Sequence, residues 1–204
     1  MEKRLYVYKL VADNGGAPCV WRGLLSLAIC KPKIRGSAEV GDIVFGFGGK
    51  NYGERLIYIA TVTAKLPGGD YYRNPRHGKR PDCIYEDISG RPHRKATARY
   101  HRKNDQRRRD VGMRFQNASV LLSRNFRYFG RKGTDEYKRD LPAIAALVEG
   151  LKRGHRVNHS RKLRRALLDL KKLIWRKYRR MNIGTPTDAD RTRVCNSDSP
   201  SAQC

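Results

Sequence analysis

The residues of this chain whose types and spacing could do chemistry cluster in residues 15–50, GGAPCVWRGLLSLAICKPKIRGSAEVGDIVFGFGGK. Lys31, Lys33 and Arg35 alternate within CKPKIR, and Lys50 follows the glycine cluster FGFGG. Trp21 and Tyr52 stand close by in sequence. An aromatic wall with fixed cationic donors suits a flipped nucleobase, because a ring face stacks while the donors hold base edges or phosphate. The stretch therefore nominates a base pocket of Trp21, Lys31, Arg35, Lys50 and Tyr52. The plain alternative is that the glycines serve a tight bend and Trp21 packs in the core. A second chemistry is open to the same stretch. Lys31 or Lys50 could be a nucleophile or charge clamp, with Asp42 or Glu54 as its acid–base partner, in a hydrolase or transferase acting on a modified base or nucleotide.

The common catalytic templates are absent. No GxGxxG, GxSxG or HExxH motif occurs, and FGFGGK lacks the spacing of a phosphate-binding GxxxxGK(S/T) loop. His155 and His159 have metal-ligand spacing, but two ligands do not make a site and no Cys or carboxylate cluster stands near them in sequence. No metal and no cofactor are expected, and no catalytic residue is assigned.

Charge points to a partner. The 204 residues carry 45 Lys+Arg against 19 Asp+Glu, a net of +26. Repulsion among so many like charges opposes compaction, and a polyanion rewards each cation with released counterions. Residues 1–90 net +5 and residues 91–183 net +22, with 29 Lys+Arg against 7 Asp+Glu. The field is thus mounted on the second half. Nucleic acid is the expected partner, DNA ahead of RNA, with base-modification enzymes as further partners and no membrane. Arg107, Arg108 and Arg109 in one basic run, and Arg164, Arg165, Lys171 and Lys172 in another, are the phosphate-binding candidates. A ribosome-associated structural role would rest on charge alone. Five cysteines, an odd number without a CxxC pair, argue against a disulfide scaffold and for a reducing, cytoplasmic setting.

These residues must be positioned by a mixed fold. Residues 4–12 alternate as a strand and end at DNGG. GLLSLAIC, residues 23–30, reads equally as a buried strand or a short helix. Residues 33–39 read as a turn. Residues 43–47 and 55–65 read as paired strands, and 118–129 as a strand broken near Arg124. Residues 89–114 read as an exposed basic insertion, a loop or poorly ordered segment, with a hairpin as the alternative. Two helices follow, 142–153 and 161–180. In the second, Leu163, Leu167, Leu170, Ile174 and Tyr178 line one face behind Ser160 as N-cap. Residues 184–204, rich in Thr, Ser, Asp and Pro, read as a disordered tail.

The pattern of residues 15–50 resembles the second class of nucleotide-modification-associated domains. It has an Ala-Pro, a Gly before an apolar run, CKP, Ile-Arg, Gly-Asp and a glycine-rich strand end, followed by RPDCIY at 80–85 and VLLSRNFRYFG at 120–130. The likeness spans roughly residues 5–155. Gly49 stands where such domains usually carry a Ser before the Lys. The resemblance implies association with systems that make, read or process modified bases in DNA. The order Gly-Asp, apolar strand, then IYIATVT is more distantly similar to PUA-like domains of the EVE and ASCH kind. That likeness implies an α+β fold, a small mixed β-barrel with C-terminal helices. The expected organisation is a core over 1–140 with the basic insertion 89–114, a basic helical extension over 141–183, and the tail. The expected function is a nucleic-acid-binding module that recognises or helps process modified bases, with a basic face for phosphates and a glycine-rich pocket for a base.

Overall fold

The computed structural model describes residues 2–152 and 154–189. In chain order its elements are β1 (Leu5–Leu10), β2 (Cys19–Trp21), β3 (Leu24–Leu27), α1 (Pro32–Ser37), β4 (Ile43–Gly48), β5 (Leu56–Thr61), β6 (Ala64–Leu66) and α2 (Asp70–Arg73). Then come β7 (Tyr85–Ile88), β8 (Arg91–Arg94), α3 (Asn104–Val111), β9 (Val120–Ser123), β10 (Asn125–Tyr128), α4 (Tyr137–Asp140), α5 (Pro142–Gly150), β11 (His155–Arg156) and α6 (Arg161–Lys177).

One sheet has the order β10-β5-β4-β1-β11 and a second the order β2-β3-β9-β6, while β7 and β8 form a hairpin. β1 and β4 are parallel; the other pairings are antiparallel. The pleat of β1 sends Leu5 and Val7 to one face and Tyr6, Tyr8 and Leu10 to the other. The first face meets Ile144, Leu147 and Val148 of α5 and Leu167, Leu170 and Ile174 of α6. The second meets Leu25, Leu27, Leu121 and Ile34 from the second sheet and α1. The two sheets are linked where β5 bends into β6 and β9 into β10. Hydrogen bonds hold the corner: Thr63 N to Leu122 O (2.8 Å), Ser123 Oγ to Thr61 O (2.7 Å) and Arg124 N to Thr63 Oγ1 (3.1 Å).

The fold is therefore α+β, but the described strands do not close into the expected barrel. The five-stranded sheet keeps edges at β10 and β11, and the four-stranded one at β2 and β6. β1 and β4 are buried on both faces, and a sheet held between two layers satisfies that.

Three other expectations are corrected. Residues 33–39 are largely helix: Pro32 opens α1, where its fixed φ suits a first turn, and Ile34 and Arg35 are buried. Residues 89–114 are ordered and not a loop: the hairpin alternative holds at Arg91–Arg94, which pairs with β7, and α3 is a helix that was not expected. Tyr100, His101, Gln106, Asp110 and Val111 are buried among the exposed cations and anchor the segment. The start of the supposed tail is docked: Asp188 N donates to Asp13 O (2.8 Å) and Thr187 N to Asp13 Oδ2 (3.1 Å). Residues 190–204 lie outside the described residues.

The glycines of β4 also have a different task. A Cβ on Gly46 would stand 2.2 Å from the Tyr58 ring. That ring is buried and its hydroxyl meets the Tyr8 hydroxyl at 2.9 Å. Gly46 lets an aromatic side chain cross the strand, and it opens no space for a ligand.

Candidate functional site

Because β1 and β4 run parallel, with Leu10 beside Gly48, both carboxyl ends open on the same side of the sheet. Crevices outside the carboxyl ends of parallel strands are ready-made ligand sites. A cleft of about 700 Å³ lies there. Its walls are the ends of β1 and β4, the start of α1, one side of α3 and the segment leading into β11. Lys31, Lys33, Lys50, Arg109 and Lys152 are cations on its lining, with His155. Lys33, Lys50, Arg109 and Lys152 are exposed, Arg109 while paired with Asp105 on α3 (3.1 Å). Lys31 Nζ sits 5.1 Å from the centre of the Tyr8 ring. Burial and the Lys33 charge hold the His155 imidazole below its ordinary range.

Of the five residues expected around a base, the structure brings Lys31, Lys50 and Tyr52 to this cleft. Arg35 is fully buried instead. Its Nε donates to Cys30 O (2.6 Å), Nη1 to Ser119 O (2.6 Å) and Nη2 to Asp110 O (2.8 Å), so its donors are spent within the protein. Trp21 lies on β2 at the edge of the second sheet, away from the cleft lining, with the Arg22 guanidinium 4.5 Å from its ring. The Tyr52 ring lines the cleft while its hydroxyl reaches Asp188 Oδ2 (2.5 Å). Burial and the Asp188 charge raise the Tyr52 phenol above its ordinary range. The two candidate carboxylates are committed elsewhere. Asp42 accepts from Arg4 Nε (3.0 Å), Arg4 N and Glu39 N, and Glu54 pairs with Lys9 (2.7 Å). Neither is bonded to Lys31 or Lys50, so the expected lysine–carboxylate pairing is not formed.

The cleft floor holds a chain of groups that the sequence reading did not assign. Cys30 Sγ lies 3.2 Å from His101 Nε2, and His101 Nδ1 contacts Asp110 Oδ2. Asp110 is itself fixed: Oδ1 accepts from Cys30 N (2.8 Å) and Oδ2 from the Tyr85 hydroxyl (3.0 Å). All three residues are buried yet line the cleft. Burial disfavours charge on the imidazole, but the Cys30 sulfur and the Asp110 carboxylate outweigh it and push His101 up to about 10. His101 therefore keeps its proton across neutral pH and releases it only as pH climbs through that value. A pH titration of imidazole-labelled protein followed by NMR should show one histidine with a midpoint near 10. His77, His155 and His159, all lowered first by burial, should titrate below about 6.5. If no imidazole titrates above that ordinary value, the imidazolium is not there.

The phosphate candidates divide between two layers. Arg107, Arg108 and Arg109 are on α3; the last lines the cleft and Arg108 is exposed beside it. Arg165 and Lys172 are exposed on α6, across the five-stranded sheet from α1. Arg164 is held by Glu2 (2.6 Å), and Lys171 donates to Thr61 Oγ1 (2.8 Å) beside Trp175. These last two are occupied in anchoring α6.

His101 and Asp110 escaped the sequence reading because they are 71 and 80 residues from Cys30, and no short motif spans such gaps. The available signal was Gln106 and Asp110 four apart in a run rich in Arg and Lys, the inner face of a helix. Among the described residues no group of three or more His, Cys, Asp or Glu could hold a metal ion. No described helix is long and apolar enough to cross a membrane.

A family model described as nucleotide modification associated domain 2 matches residues 2–193. No curated protein and no solved structure matches this chain.

Proposed function

Because the chain belongs to the nucleotide modification associated domain 2 family, we propose that its cleft receives a modified nucleotide of a nucleic acid, DNA ahead of RNA. The observation that carries this reading is the cluster of Lys31, Lys33, Lys50, Arg109 and Lys152 around one cleft at the carboxyl ends of two parallel strands. Its volume of about 700 Å³ suits a nucleotide, since small-molecule sites span roughly 300–1,000 Å³. The base enters beside Tyr52, and the lysines hold the phosphate as point charges. Arg107 and Arg108 on α3 meet the flanking backbone. Arg165 and Lys172 on α6, on the other layer, add long-range attraction without reading sequence.

Fluorescence anisotropy with a labelled oligonucleotide tests this. For about four neutralised phosphates, affinity should fall about 10²-fold between 50 and 200 mM salt. The Lys31→Ala/Lys50→Ala double variant should bind about tenfold more weakly, and modified oligonucleotides should outcompete unmodified ones. Undetectable binding, or affinity indifferent to salt and to the double variant, sinks the reading.

A further inference from the structure

Holding a nucleotide needs cations and a stacking surface, but it does not need a thiol, an imidazole and a carboxylate in series on the cleft floor. The geometry of that series is the one that nucleophilic catalysis requires. A base within hydrogen-bond reach of the nucleophile is oriented by a third group. Here Cys30 Sγ is 3.2 Å from His101 Nε2, and Asp110 takes the other ring nitrogen. The third group is well fixed, because Asp110 also receives Cys30 N and the Tyr85 hydroxyl, and its carbonyl receives Arg35 Nη2. The thiol stands on the sharp connection between β3 and α1, where Cys30 and Lys31 both adopt left-handed backbone (φ 56° and 47°). Non-glycine residues hold that conformation only where surrounding structure imposes it. Lys31 follows directly and lines the same cleft.

We propose that Cys30, His101 and Asp110 form an acyl-transfer triad, acting on an amide or ester carbonyl carried by a nucleotide, a substrate class that rests on the nucleotide-binding reading above. Cys30 is the nucleophile, His101 the proton carrier and Asp110 the positioning residue. In the first step the Cys30 thiolate attacks the carbonyl carbon and a C–S bond forms. The bond from that carbon to nitrogen or oxygen breaks, and the leaving amine or alcohol takes the proton from His101 Nε2. In the second step water attacks the thioester and gives a proton to His101. A C–O bond forms, the C–S bond breaks, and a carboxylic acid departs. The sum is hydrolysis, with no oxidant or reductant. The raised His101 value is what such a pair should show, since an adjacent imidazolium favours the thiolate.

The test uses the full chain and two probes. The first is iodoacetamide, with alkylation of the Cys30 peptide followed by mass spectrometry as a function of pH. Wild-type Cys30 should react at a rate already on its plateau at neutral pH, whereas an ordinary thiol rises toward about 8.5. His101→Gln should slow alkylation at pH 7 by about tenfold or more, and Asp110→Asn should move the midpoint of the profile upward, which a purely structural loss would not do. The second probe is N4-acetyl-2′-deoxycytidine 5′-monophosphate. Acid-quenched wild type should carry an acetyl group on Cys30, and Cys30→Ala should release no free acetate. An ordinary thiol profile for wild-type Cys30, a measurement that needs no variant, overturns the proposal, as does acetyl release that survives Cys30→Ala. Binding of unacylated deoxycytidine monophosphate to Cys30→Ala separates the two ideas. Retained binding with an ordinary thiol profile defeats the triad alone. A reactive thiol without nucleotide binding defeats the proposed substrate class and the nucleotide reading together.

Discussion

Replacing Arg35 by methionine should cost about 3–5 kcal/mol of folding free energy, the range for removing one partner of a buried charged pair. The side chain has no exposed surface. Its guanidinium ties three segments together: Cys30 O before α1, Asp110 O at the end of α3 and Ser119 O before β9. It also stands 3.7 Å from Asp110 Oδ1. Methionine fills much of the space but leaves those oxygens without donors and takes from the buried Asp110 carboxylate one of its two cationic neighbours, the other being His101. Lysine should not rescue, because a compact ammonium cannot meet three divergent carbonyls as a planar fork does. Urea unfolding measures the loss. Since Arg35 holds the carbonyls of both Cys30 and Asp110, the folded fraction of Arg35→Met should also alkylate more slowly at Cys30. A loss under about 1 kcal/mol would falsify the clamp.

A clamp of this kind leaves no mark in the sequence. β1, β4 and β5 were legible because β-branched and aromatic residues crowd short segments bounded by Gly and Asp. α6 was legible because its apolar positions keep a helical period behind Ser160, whose side chain accepts from Leu163 N. Arg35 was misassigned because a buried arginine and a ligand-binding arginine look alike in one dimension. Only the carbonyls gathered around it distinguish them. Lys31 and Lys50 fall on one cleft because their neighbours in sequence, the α1 start and the β4 end, are its walls. His101 and Asp110 depend on long-range packing of Tyr85, Tyr100 and Phe115 under a cationic surface, and charge density concealed that core. The barrel expectation failed for a related reason: strand order along the chain does not say whether a sheet closes on itself or is covered by helices.

A second buried arginine should have an effect of the same size. Arg80→Met is expected to lose about 3–5 kcal/mol. Arg80 is nearly inaccessible, and Asp82 entirely so. Nε donates to the Tyr71 hydroxyl (2.9 Å), Nη1 to Trp21 O (3.2 Å), and Nη2 to Cys19 O (3.2 Å), Leu24 O (3.2 Å) and Ser26 Oγ (2.5 Å). Asp82 completes the network by accepting from Ser26 Oγ (2.5 Å) and the Tyr71 hydroxyl (2.7 Å). Arg80 thus fastens the β2–β3 hairpin to the segment that leads into β7, and Trp21 contributes its carbonyl to that bracket. This gives RPDCIY a physical reading, because the Arg and Asp of the motif bind each other and the hairpin (3.4 Å). Removing Asp82 as well, as Arg80→Met/Asp82→Leu, should recover part of the loss, since no charge is then left buried alone. The cleft lining contains none of these residues. Folded Arg80→Met should therefore bind nucleotide as wild type does and keep the Cys30 alkylation profile. If its affinity falls while the fold is intact, the division between a structural bracket at Arg80 and a functional cleft at Lys31 and Cys30 is wrong.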